Sequence, residues 1–140
     1  MHRIIHMETR RRLPALAVIA VVVMALTAAC SQPKPQSLQA DTASYHVQLD
    51  LDAASLGRRT ATIEITDTRG DPVDADQVVV TPVMAEMGMT RPELVADEIG
   101  PGRYRATGEL FSMLGEWRLT VRVEKAGAGD EATFTVKAEA

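Results

Sequence analysis

The sequence predicts an all-β protein, a small antiparallel β-sandwich of about seven strands, carried behind an export leader and a flexible tether. Three observations carry that reading. From Ala43 onward apolar and polar residues alternate with a period of two; clusters of Gly, Pro and Asp interrupt the alternation at short intervals; and no stretch repeats with the helical period.

The first element is an address. Arg10, Arg11 and Arg12 precede "LPALAVIAVVVMALTAA" (13–29), an uncharged run that ends in small residues directly before Cys30, the single cysteine of the chain. This is the pattern of a signal peptide over residues 1–29. The alternative is an uncleaved anchor, for which 17 apolar residues are the lower limit. "LTAAC" resembles the bacterial lipobox, with Ala28 and Ala29 before the cysteine and Leu26 one step beyond the usual aliphatic position. Lipidation of Cys30 accounts for a lone cysteine in an exported chain, and acyl chains there would hold the protein on a bacterial membrane, on its periplasmic or cell-surface side.

Removing the leader takes four of the 15 basic and one of the 19 acidic residues, leaving 11 against 18. An acidic chain of this kind is not built for nucleic acid, which calls for clustered Lys and Arg. "SQPKPQSLQADT" (31–42) is polar and carries two prolines, so residues 30–42 read as the lipidated cysteine and an extended tether. Residues 43–140 remain for one domain with a single core.

Within it, "YHVQLDLD" places Tyr45, Val47, Leu49 and Leu51 on one face, and "ATIEIT" does so with Ala61, Ile63 and Ile65. "DTRGDP" supplies a turn, "DQVVVTPV" is a continuous apolar strand, and "PELVADEI" leads through "GPG" into "RYRATGEL". Trp117, Leu119, Val121 and Val123 share a face in "EWRLTVRVE", and "KAGAGD" turns the chain into "EATFTVKA". The size and strand spacing are close to those of an immunoglobulin-like domain.

"VMAEMGM" (83–89) sets Met84, Met87 and Met89 close together, and Met113 lies in "LFSMLGEW". With strands alternating in direction, the connections holding these residues emerge at one end. His46 starts the first strand and is expected roughly 20 Å away or more, at the other end; the tether is expected to enter there too. Gathered thioethers suit Cu(I) rather than Zn²⁺, Mg²⁺ or Ca²⁺, need no deprotonation, and cannot be lost to disulfides. The same residues also suit packing, since methionine fills irregular gaps. Trp117, four residues past Met113, is a core candidate that could also meet a cation through its ring face.

The run from "DTRGDPVDADQVVVTPVMAEMGM" through "GPGRYRATGELFSMLGEWRLTVRV" resembles the YtkA-like family, which is akin to the extracytoplasmic FixH domain of oxidase assembly. The shared pattern is a D-x-x-G-x-P-V turn, a Met-rich loop, a P-G-x-Y turn and a G-x-W strand. The resemblance implies an exported, often lipid-anchored immunoglobulin-like domain linked to copper handling. Its loop maps onto Met84, Met87 and Met89 and its strand-entry position onto Met113. It also implies a copper donor or acceptor, or an oxidase assembly complex, as partner. Relatives often place a His in or just after the loop, whereas "MGMTRPEL" has none.

Enzymatic chemistry finds little footing in the sequence. Beyond the leader there is one His, the single Cys is taken by the lipid reading, and there is no Gly-rich phosphate loop. Asp50 and Asp52 lie two apart on a strand and read as a solvated face. The expected function is therefore non-enzymatic, either a soft-metal-binding lipoprotein or a metal-free interaction module assisting a membrane complex.

Overall fold

Strict apolar/polar alternation leaves each sheet one apolar face to cover, and in this domain two such sheets cover each other. The computed structural model describes residues 33–140; the expected signal peptide and lipobox, with Cys30, lie outside the described residues. The strands are β1 (Gln36–Asp41), β2 (Tyr45–Leu51), β3 (Gly57–Asp67), β4 (Gln77–Met84), β5 (Met89–Thr90), β6 (Leu94–Val95), β7 (Asp97–Gly100), β8 (Arg103–Phe111), β9 (Gly115–Lys125) and β10 (Ala128–Ala138). One sheet runs β1-β2-β3-β8-β7 and the other β10-β9-β4-β5, with β6 also on β4. Every strand pair is antiparallel. The immunoglobulin-like sandwich expected from the sequence is the fold.

The core is made by the residues whose alternation announced it. Val47, Leu49, Leu51, Ala61, Ile63 and Ile65 are buried from one sheet, and Trp117, Leu119, Val121 and Val123 from the other. At the foot of this core the Tyr104 hydroxyl donates to the Val73 carbonyl (2.9 Å) and accepts the Ala75 N–H (2.8 Å), which fixes the long β3–β4 connection. Burial pushes the Tyr104 phenol above its ordinary pKa. Gly102 has φ +65° and lies so close to Ile65 that a Cβ would stand 2.7 Å from the Ile65 carbonyl oxygen, so this turn requires glycine.

Three features depart from the sequence expectation. "PELVADEI" is two short strands in different sheets: β6 pairs with β4, the Ala96 N–H donates to the Val78 carbonyl, and β7 then pairs with β8. The change of sheet falls within a segment that reads as one strand. The second departure is in the expected tether. Residues 36–41 form β1, an edge strand in register with β2 from Gln36↔Leu51 to Asp41↔His46. Only Leu38 and Ala40 signal it, and an edge strand with one sheltered face needs no more.

The third departure follows from the second. Because β1 runs antiparallel to β2, Gln36 lies beside Leu51, and Leu51 is in register with Ala61 and through it with Ala106 of β8. Gly57 pairs with Phe111, the last residue of β8, so the chain enters the sandwich at the end where β8 turns into β9. Pro33 and Lys34 line a cleft there with Ser55 and Glu139. The tether was expected at the opposite end, beside His46; β1 carries the entry point the full length of the sheet.

Candidate functional site

"VMAEMGM" forms a tight hairpin. Met84 and Met89 are cross-strand partners of β4 and β5, and Ala85–Met87 make a single 3-10 turn between them. Gly88, at φ 60°, closes the turn in the left-handed region and donates its N–H to the Ala85 carbonyl (3.1 Å). Glycine at this position is what permits the reversal.

The hairpin sorts its methionines by position. Met84 is 3 % exposed and belongs to the core. Its methyl carbon lies 3.1 Å from where a Cβ on Gly115 would be, so the absent side chain of Gly115, at φ +129°, makes room for it. Met87 stands on the turn and is 63 % exposed. Met89 is half-buried against the core, and the Ser112 hydroxyl lies 3.4 Å from its sulfur as a donor.

Met113 occupies the β8–β9 turn and is also half-buried against the core. Its carbonyl accepts the indole N–H of Trp117 at 3.0 Å. Ser112 links the two connections, since it adjoins Met113 and contacts Met89. The structure thus brings all four methionines to one end of the sandwich, with Met84 inward, Met89 and Met113 at the boundary and Met87 outward. Arg91 secures the chain just beyond the hairpin through its N–H to the Pro82 carbonyl (2.9 Å) and its guanidinium to Glu109 (2.8 Å).

Trp117 does not stand over this loop as a cation lid. It is 0 % exposed and meets Phe111 edge-on, ring centroids 6.0 Å apart at 65°. Its polar edge is spent on the Met113 carbonyl, so its role is to pin that turn. His46 pairs with Thr66 at the far end of its sheet and contacts Asp41 at 2.6 Å, away from the methionines as expected. Among the described residues no group of three or more His, Cys, Asp or Glu is arranged to hold a metal.

Two further residues at this end escaped the sequence reading. Leu56, on the β2–β3 connection, is 41 % exposed, and Leu114, beside Met113, is 50 % exposed. Their signal was an apolar residue next to a glycine in a connection, which is too common to single out.

Fold and loop end together define an immunoglobulin-like β-sandwich with a methionine-bearing hairpin at one pole. The chain belongs to the YtkA-like family, whose profile matches residues 39–122. Among solved structures it is similar to a DUF4785 family protein from Legionella pneumophila, with a TM-score of 0.50 and 16 % identity. The similarity covers 69 % of this chain and only 28 % of that one, and it speaks to the fold alone. No curated protein matches the sequence.

Proposed function

We propose that this chain is a lipid-anchored extracytoplasmic protein that holds a soft metal ion, Cu(I), at the loop end of its sandwich and passes it to a partner. The observation that carries the reading is the placement of Met89 and Met113, both half-buried, at one pole, where Ser112, next to Met113, donates to the Met89 sulfur and Met87 stands exposed on the adjoining turn. Thioether sulfur is the donor that soft Cu(I) favours, and a site without thiolate or imidazole releases its metal more readily than one that has them. Met87, Met89 and Met113 are the proposed donors. Met84 lies behind them in the core, where its first task is packing.

A titration of a protein starting at Ser31 with Cu(I), in competition with a weak chelator, tests the reading. Leu replaces Met with little change of volume, at a cost usually under about 1.5 kcal/mol, so Met87→Leu, Met89→Leu and Met113→Leu should each weaken binding while the metal-free melting temperature barely moves. His46→Ala should bind as the wild type does. Wild-type failure against every weak chelator, or Leu variants that bind equally well, would sink the copper reading.

The burial of Met84 and the apolar tips Leu56 and Leu114 favour a second reading, a metal-free module that assists assembly of a membrane or respiratory complex through the same end. That reading predicts that the Leu variants keep full activity in such an assembly.

A further inference from the structure

We propose that the loop end of the sandwich is a membrane-contact surface, with Leu56, Met87 and Leu114 seated in the headgroup layer of a phospholipid bilayer. The proposal rests on the lipid-anchor part of the function proposed above, it shares Met87 with the proposed donors, and its test does not involve the metal.

The apolar side chains are unevenly placed. Five large ones are well exposed among the described residues, and Leu56, Met87 and Leu114 are three of them. Strand register puts these three at one pole: Leu56 precedes Gly57, which pairs with Phe111; Leu114 follows Phe111 on the next turn; and Met87 tops the hairpin whose base, Met84, reaches Gly115. The other pole carries the β1–β2, β3–β4, β7–β8 and β9–β10 connections, and the first, second and fourth of these are closed by side-chain polar contacts. Thr42 donates to Asp130 (2.9 Å), Asp67 accepts from the backbone of Arg69 and Asp71, and Asp76 accepts the Ala126 N–H. Ile99, beside the β7–β8 turn, is the large apolar side chain exposed at that pole among the described residues, at 39 %, against three at the loop end.

Chain length then selects the occupant. Pro33 lies at the apolar pole, against Ser55 and Glu139. Three peptide links separate it from Cys30, a reach of at most about 11 Å. Acyl chains on Cys30 would therefore hold this pole, not the polar one, at the lipid surface. Apolar groups at an interface seat about 5–10 Å into the headgroup boundary, a depth compatible with so short a connection. The three tips belong to separate connections and form no continuous groove. A fluid bilayer accepts such isolated side chains at a common depth, whereas a rigid partner needs a pocket for each. Flanking charges are of both signs, Lys34 and Arg58 against Glu86 and Glu139. Contact is thus driven by apolar insertion and depends little on salt.

The test uses the full chain, isolated in its lipidated form and reconstituted into phosphatidylethanolamine/phosphatidylglycerol vesicles. A nitroxide is placed on Leu56→Cys, Met87→Cys or Leu114→Cys, and on Ser44→Cys or Lys125→Cys at the polar pole, with near-ultraviolet circular dichroism checking that each variant is folded. Labels at 56, 87 and 114 should show an oxygen-to-nickel-chelate accessibility ratio several-fold above that at 44 and 125, unchanged by added salt. Equal, water-like ratios at all five positions would overturn the proposal. So would labels that stay aqueous on pure lipid and become shielded only in native membranes, because a protein would then be the occupant. Lipid labelling of Cys30 is scored separately, and a Cys30→Ser background carries the same nitroxides. If Cys30 takes no lipid, the anchor reading fails, while selective immersion of the three loop labels on added vesicles still supports the surface.

Discussion

The indole N–H of Trp117 donates to the carbonyl oxygen of Met113 across 3.0 Å, so the largest buried side chain of the core also holds the turn that carries a candidate donor. Core stability and loop position are coupled through one bond. Trp117→Phe keeps an aromatic ring against Phe111 but removes the donor, and should cost about 1–3 kcal/mol in urea denaturation. Trp117→Ala also opens a cavity and should cost about 3–5 kcal/mol, a large share of what holds so small a domain. A Trp117→Phe variant as stable as the wild type would mean that the bond contributes nothing.

Removing β1 is the second test. A protein beginning at Thr42 loses the six-residue pairing with β2 and the partial burial of Leu38 and Ala40. It should be less stable than one beginning at Ser31 by about 2 kcal/mol, the scale of one partly sheltered leucine with its neighbour. It should also tend to associate, because the edge of β2 is then uncovered. Identical melting temperatures and monomeric behaviour would return residues 36–41 to the tether.

Acid sensitivity is expected at the β3–β4 turn. Hydrogen bonds from the backbone N–H groups of Asp71 and Arg69 hold the Asp67 carboxyl below its ordinary pKa. A depressed folded pKa contributes stability that is present above the unfolded value and is lost as pH falls through the folded one. Asp67→Asn should therefore melt lower than the wild type at neutral pH, and the gap should close at pH values below the folded pKa. A gap that stayed constant across that range would assign the effect to geometry instead of charge.

Much of the fold was legible because its signals are local. Alternation along "YHVQLDLD", "ATIEIT" and "EWRLTVRVE" states which side chains turn inward wherever a second sheet is found, and those residues are buried except Tyr45, which is half-buried at the sheet end. The shared end of Met84, Met87, Met89 and Met113 also followed from counting reversals, since antiparallel strands return to the same pole. Sheet exchange inside "PELVADEI" was not legible, because a strand's choice of partner is a property of the partner and leaves the period of two unchanged.

The sequence by itself determined an all-β sandwich, its inward faces, its turns and the pole at which the methionines gather. Tertiary structure decided which methionine is core and which is surface: hairpin register makes Met84 and Met89 partners and lifts Met87 onto the turn. It also decided that the chain enters at the methionine pole, through the antiparallel pairing of β1 with β2. Periodicity records the environment of a residue along its own strand. Register and strand direction are set by contacts between segments far apart in the chain, and those contacts sorted the methionines between core and surface and brought the chain entry to their pole.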